Sequence, residues 1–67
     1  MISISVNGHP ETVENGISIV QLLALLGLAD KRVAVELNRA IVPKSLHAQT
    51  HIGADDRIEI VNAIGGG

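Results

Sequence analysis

The stretch ISISVNG occupies residues 2–8 and carries the clearest fold signal in the chain. Its apolar residues alternate with serines, as in a β-strand that buries one face and leaves the other open. Asn7-Gly8 follows, and this pair is the strongest short-range signal for a two-residue hairpin turn, because both turn positions need a positive φ. A second strand is therefore predicted at residues 9–13, with Pro10 placing it at the edge of a sheet.

A short helix is predicted after this hairpin. Ser18 is a typical N-cap residue, and Gln21 stands three residues later, where it completes a capping box. The apolar residues that follow recur with the spacing of one helix face, and Gly27 stands where a left-handed residue ends a helix. The helix should therefore lay one apolar stripe on the sheet. Three apolar residues lie off this stripe and are either covered by loops or offered to a partner: Val20, Ala24 and Leu25.

The second half of the chain contains the pattern of three more strands. They are predicted at residues 33–37, at 40–42 after a tight turn, and at 57–61 after a turn at Asp55-Asp56. Pro43 stops the second of them, and residues 44–53 show no sustained period beyond a helical turn near Leu46. This order predicts an α+β fold, a mixed sheet with one main helix packed on one face, and the first and last strands paired at its centre.

Composition limits the kinds of function. The chain has 67 residues, no cysteine and no aromatic residue, so we expect one small domain with an aliphatic core and no disulfide or cysteine metal site. Five cations are dispersed along a chain of net charge -2, and this pattern argues against nucleic-acid binding. The longest apolar run is too short to cross a bilayer. We therefore expect a cytoplasmic protein that does not bind membranes.

Few side chains are candidates for chemistry. His47 and His51 stand four residues apart and could form a helical metal pair, but no third ligand is near them. We therefore predict two surface histidines in an irregular segment and no metal site. Asp55 and Asp56 adjoin each other, which is typical of a turn, whereas an acid–base pair usually faces itself across a cleft. No catalytic residue is predicted.

The chain ends in three glycines, Gly65, Gly66 and Gly67. A glycine run cannot pack in a core and loses the most backbone entropy on ordering, so we predict a domain at residues 1–61 and a flexible tail at 62–67. Such a tail offers one unhindered α-carboxylate on a slim thread that extends roughly 20 Å. An engineered linker or a frayed end without a role is the alternative interpretation.

Taken together, these segments resemble the β-grasp, ubiquitin-like sulfur carriers, and most closely the ThiS-type carriers of thiamin thiazole biosynthesis. The similarity covers the whole chain, through residues 2–8, 18–28, 33–38, 41–43, 56–61 and 64–67. Arg39 and Asp55 stand where this family often has glycine, and Ala63 or Ile64 replaces a frequent aromatic residue.

The resemblance implies a carrier protein and not an enzyme. An activating enzyme of the ubiquitin E1-like class would receive Ala63, Ile64, Gly65 and Gly66 in its site and use MgATP to adenylate the carboxylate of Gly67. A persulfide sulfur donor would then leave a thiocarboxylate on Gly67 for thiazole synthase, and the carrier itself would bind no cofactor. Three alternatives stay open: a carrier for molybdopterin synthesis, a protein modifier conjugated through Gly67, and an interaction domain with an inert tail.

Overall fold

The computed structural model describes residues 1–62. This part of the chain contains five strands, one α-helix and one turn of 3-10 helix, in the predicted order. In sequence they are β1 (Ile2–Val6), β2 (His9–Val13), α1 (Ile19–Leu25), β3 (Val33–Leu37), β4 (Ala40–Val42), the 3-10 turn (Lys44–Leu46) and β5 (Arg57–Asn62). β5 runs one residue beyond the predicted end of the last strand, because Asn62 still pairs with Val33.

The five strands form one mixed sheet in the order β2-β1-β5-β3-β4. β5 is the central strand, and its parallel neighbour is β1, the first strand of the chain. The other strand pairs are antiparallel. β2 lies at the edge of the sheet, where the missing N–H of Pro10 leaves no gap in an inner ladder. The predicted α+β sheet with its first and last strands paired is therefore confirmed.

Both hairpins turn through two residues with positive φ. Asn7 and Gly8 have φ values of 52° and 82°, and Asn38 and Arg39 have values of 51° and 73°. Two left-handed residues between two paired strands define a type I′ turn, which matches the right-handed twist of the strands. Asp55, before the last strand, is also left-handed, with a φ of 66°. Arg39 and Asp55 thus hold a conformation that glycine adopts without steric cost.

The first turn of α1 has a partner for each of its first three N–H groups. The Ser18 side chain accepts from the Gln21 N–H at 3.1 Å, and the Gln21 side chain accepts from the Ser18 N–H at 2.8 Å, which confirms the capping box. The N–H groups of Ile19 and Val20 donate to two carbonyls of the loop at 47–50, at 3.0 and 3.3 Å. The loop at 47–50 therefore supplies acceptors for N–H groups that have no carbonyl partner inside the helix.

The helix ends at Leu25 with Leu26 as its C-cap, and the next residue, Gly27, has a φ of 76°. The Gly27 N–H donates to the Ala24 carbonyl at 3.1 Å, and the Leu28 N–H donates to the Leu23 carbonyl at 2.8 Å. These two bonds form a Schellman motif, which satisfies carbonyls that lack a partner inside the helix. The predicted C-terminal signal is confirmed.

The core lies between α1 and one face of the sheet, and it is made of aliphatic side chains from the strands, the helix and the loops. Its most deeply buried members are Ile19, Leu22, Val35, Ile52 and Ile58. Of the residues off the helical stripe, Val20 and Leu25 are 47% and 68% exposed, so no loop covers them. Neither helix within residues 1–62 is long and apolar enough to cross a bilayer.

Candidate functional site at the end of the last strand

The candidate site begins where β5 ends. Asn62 is exposed and closes the β3–β5 ladder opposite Val33. Of the predicted tail at 62–67, Asn62 belongs to β5, whereas residues 63–67 and the predicted sulfur-carrying group on Gly67 lie outside the described residues. The structure shows the sheet surface around the end of β5 and the contacts that hold β5 in place.

The face of the sheet opposite α1 is open and carries exposed apolar residues close to the end of β5. Val61 is 60% exposed and pairs with the exposed Ala34 of β3, and Ile41 of β4 is 75% exposed. We call these three residues the open-face patch. Exposed apolar side chains grouped on one face of a sheet make this patch a candidate contact surface for another protein.

Two carboxylates border the open-face patch. Glu59 of β5 stands directly opposite Glu36 of β3, and Glu36 stands opposite Ile41. Like charges at directly opposed positions of a sheet repel each other and lower stability. Beside the patch the open face therefore carries two carboxylates, while Arg57 takes the outward position of β5 two residues before Glu59. The part of the face next to the patch suits a partner surface that offers cations around an apolar centre.

Asn7 connects the first hairpin to β5 through its side chain. Its Nδ2 donates to the Ile60 carbonyl at 3.0 Å, and its Oδ1 accepts from the Ile60 N–H at 2.7 Å. Its own backbone N–H donates to the Ile58 carbonyl at 2.9 Å. One residue thus continues the β1–β5 ladder past the point where β1 turns away.

Asn38 acts in the same way at the other end of β5. Its backbone N–H donates to the Arg57 carbonyl at 2.7 Å, and its Oδ1 accepts from the Arg57 N–H at 2.8 Å. Its Nδ2 donates to Asp56, whose second carboxylate oxygen accepts from the Gly53 N–H at 2.7 Å. The aspartates at 55 and 56 therefore shape the turn into β5, as predicted.

The expectation of two surface histidines is wrong for His47. This side chain is only 5% exposed, and its Nε2 lies 3.0 Å from the Val42 carbonyl. The reason is that its loop folds under the start of α1 to supply carbonyls to the helix. His51 is exposed, with its Nδ1 2.8 Å from the Gly16 carbonyl. Nowhere in residues 1–62 do three potential metal-ligating side chains come together.

The cations are less dispersed in space than along the chain. Lys31, Arg32 and Lys44 line one groove of about 430 Å³ beside α1, whose walls include Val20 and Val33. This groove lies on the helix side of the sheet, away from the open-face patch. Because the sequence contains no Phe, Tyr or Trp, the groove lacks the side chains on which nucleic-acid bases most often stack.

Reasoning from the sequence missed the asparagine contacts and the open-face patch. Asn7 and Asn38 are recognisable as turn residues, but nothing local shows that their side chains reach partners 53 and 19 residues away. The sequence gives a weak signal for the patch. Of the three outward positions of β5, two hold the polar residues Arg57 and Glu59, and the third holds the apolar Val61.

The mixed sheet, the single covering helix and the parallel pairing of the first and last strands define the β-grasp class of ubiquitin-like proteins. Residues 4–67 match the model of the ThiS family, and the chain belongs to that family. The crystal structure of thiamine biosynthesis protein ThiS from Geobacter metallireducens has the same fold, with a TM-score of 0.86. The two sequences are 30% identical over 98% of this chain and 100% of that one.

Curated relatives are of two lengths. Thiazole synthase of Magnetococcus marinus is 41% identical over 66 residues, which are 98% of this chain and 20% of that protein. The uncharacterized protein ycf40 of Pyropia yezoensis is 39% identical over 66 residues, which are 98% of this chain and 93% of that protein. The chain therefore spans about a fifth of the first relative and nearly all of the second.

Proposed function

We propose that this chain is a sulfur carrier of thiamin biosynthesis, and that it acts as a co-substrate of other enzymes. The observation that carries the proposal is the match to the ThiS family, which starts in β1 and extends through Gly67. The 30% identical thiamine biosynthesis protein with the same fold supports it. The working group is then the end of the main chain, and the folded domain serves to present it.

The chemistry follows from the α-carboxylate of Gly67. This group has an ordinary pKa of about 3.3–3.7, so it is ionised at neutral pH and can attack the α-phosphorus of MgATP held by an E1-like partner. Pyrophosphate leaves, and the carboxylate becomes an acyl adenylate. The terminal sulfur of a partner's persulfide attacks the acyl carbon and AMP leaves. A thiol then cleaves the sulfur–sulfur bond and frees the thiocarboxylate.

This scheme explains how a chain without cysteine could carry sulfur. The sulfur replaces a main-chain oxygen, so no side-chain thiol is needed. The carrier itself binds no cofactor, and MgATP is a substrate of the activating partner. We propose that these steps occur in the cytoplasm.

Thiazole synthase is the proposed acceptor of the sulfur. Relatives with that name contain a region similar to this chain, and the region makes up 20% and 19% of their lengths. We infer that the activating enzyme approaches from the open face, since Val61 of the open-face patch is one residue before the end of β5. Its Glu36 and Glu59 border would select cations on the partner.

The first experiment is an intact-mass measurement of the protein isolated from its native host, with fragmentation to locate any change. Exchange of one oxygen for sulfur at Gly67 is the expected result, in cells starved for thiamin above all. Oxidation of Met1 gives nearly the same nominal shift, so the fragments must separate the two ends. An unmodified carboxylate under starvation would contradict the carrier role, and conjugates to lysines would support a protein modifier.

A truncation tests the tail directly. A variant that lacks Gly66 and Gly67 should keep the unfolding temperature of the parent, since neither glycine has a side chain to pack in a core, and should support no ATP–pyrophosphate exchange by the activating enzyme. A second variant, with one residue added after Gly67, tests whether the position of the carboxylate matters. It should also fail, because its carboxylate is displaced. Exchange at the parent rate in the truncated variant would exclude Gly67 as the activated group.

A further inference from the structure

β5 extends beyond the end of its neighbour β1. β1 pairs with Arg57 and Ile58 and then ends at Val6, whereas β3 stays paired with β5 as far as Asn62. Within residues 1–62 no strand lies beside the last part of β5 on the β1 side. This is the part of the strand that leads into residues 63–67.

The Asn7 side chain fills the place of the missing strand. A primary amide offers one acceptor and one donor side by side, and Asn7 uses them on the Ile60 N–H at 2.7 Å and the Ile60 carbonyl at 3.0 Å. These two backbone groups face away from β3, because neighbouring residues of a strand direct their polar groups to opposite sides. β3 cannot satisfy them, so Asn7 is their partner in the fold.

We propose that Asn7 is a positioning residue: its amide fixes the direction in which the chain leaves β5, and capture of the tail by the activating partner depends on it. This inference rests on the proposed function. Without the amide, the end of β5 is held on the β3 side alone. The last residues of β5 are then less firmly held, and a smaller fraction of molecules presents the end of this strand as the partner requires.

Asparagine is the residue that this position demands. Its backbone φ of 52° suits asparagine better than most other residues that have a side chain. Aspartate keeps the acceptor but loses the donor to the Ile60 carbonyl, and glutamine is longer by one methylene group. A groove of about 440 Å³ lies beside the contact, lined in part by Leu28 and Asn62. Removing the amide therefore exposes the Ile60 backbone to water in this groove.

The test compares Asn7→Gly with Asn38→Gly. Both positions are the first residue of a type I′ turn, with φ values of 52° and 51°, and glycine keeps that turn. Each variant loses two side-chain hydrogen bonds next to β5. They differ in place, because Asn7 holds Ile60 near the end of β5 and Asn38 holds Arg57 at its start. Asn7→Gly loses part-buried bonds and Asn38→Gly loses exposed ones, so each variant is compared after its own global stability has been measured.

Hydrogen exchange gives a readout that needs no partner. After normalisation to the global unfolding of each variant, the Ile60 N–H should exchange at least tenfold faster in Asn7→Gly than in the parent, and at the parent rate in Asn38→Gly. ATP–pyrophosphate exchange gives the second readout. Asn7→Gly should raise the KM for the carrier about tenfold with kcat unchanged, because binding competence is lost and chemistry is not. Asn38→Gly should stay within twofold of the parent.

The outcomes separate the two proposals. If the parent protein is activated and both variants show the same KM, or if Ile60 stays protected in Asn7→Gly, the positioning role is wrong and the carrier function stands. A fall in kcat with unchanged KM would also exclude positioning of the tail. If the parent protein supports no activation at all, the proposed function fails and the role of Asn7 in activation fails with it.

Discussion

Replacing Arg39 by glycine should stabilise the protein. Arg39 is exposed, has a φ of 73°, and makes no side-chain hydrogen bond among those found in residues 1–62. A left-handed backbone costs an L-residue about 1–2 kcal/mol, because Cβ crowds the carbonyl oxygen that follows. Glycine removes that cost, but its freer unfolded chain gives back about 0.4–1 kcal/mol. The difference predicts a gain of about 0.8 kcal/mol in the free energy of unfolding.

Thermal and urea unfolding of the purified protein measure this gain. For a domain of this size, 1 kcal/mol corresponds to about 4–8 °C, so Arg39→Gly should raise Tm by about 3–6 °C. The matched control is Ala40→Gly, one residue further on in β4, where φ is not positive. Glycine inside a strand lowers stability by about 0.5–1 kcal/mol. Asp55→Gly, at a φ of 66°, should give a smaller gain, because aspartate tolerates the left-handed region better than arginine does.

The opposite signs of the Arg39 and Ala40 variants are the decisive result. If Arg39→Gly destabilises the protein as much as Ala40→Gly does, the left-handed turn stores no steric cost and the reasoning is refuted. A gain in both variants would show that the hairpin is strained for a reason other than the φ of Arg39.

Three further variants test the helix ends and the open face. Ser18→Ala should cost about 1 kcal/mol in the free energy of unfolding, because the Gln21 N–H loses its acceptor; an unchanged urea midpoint would argue against the cap. Gly27→Ala should cost a similar amount through its φ of 76° alone, since its new Cβ would meet no atom within 4 Å, and far-UV circular dichroism during thermal unfolding measures the loss. Ile41→Thr should leave Tm within about 3 °C of the parent, since Ile41 is 75% exposed and threonine suits a strand without adding a charge opposite Glu36, yet weaken binding to the activating enzyme in calorimetry; unaltered affinity would remove Ile41 from the proposed interface.

The parts of the fold that the sequence predicts are those that depend on neighbours a few residues away. The capping box joins Ser18 to Gln21, the Schellman motif involves residues 23–28, and the first type I′ turn is written in Asn7-Gly8. Strand alternation is local as well, and it correctly separated buried from exposed positions in β1 and β5. These patterns also predicted the order of elements, from which the β-grasp topology follows.

The remaining features depend on residues that the fold brings together from far along the chain. The burial of His47 could not be predicted, because it depends on the loop at 47–50 passing under the start of α1. The side-chain partner of Asn7 is 53 residues away, and the grouping of Lys31 and Arg32 with Lys44 needs the same folded geometry. The proposed role of Gly67 rests on the last three residues of the sequence, whereas the surface beside the end of β5 depends on the folded geometry and was not predicted.

The two hydrogen bonds between Asn7 and Ile60 should also slow the deamidation of Asn7. In an Asn-Gly pair the glycine nitrogen, unhindered by a Cβ, can attack the side-chain carbonyl carbon and expel ammonia, and asparagine is among the residues that heat damages first. In the native fold both polar atoms of the Asn7 amide are hydrogen-bonded to the Ile60 backbone, and these two bonds must break before the side chain can rotate freely. Deamidation should then proceed only in molecules whose first hairpin has opened. Each deamidation would place a carboxylate against the Ile60 carbonyl. The deamidated fraction should therefore rise with the total time that the first hairpin is open, and not simply with the age of the molecule.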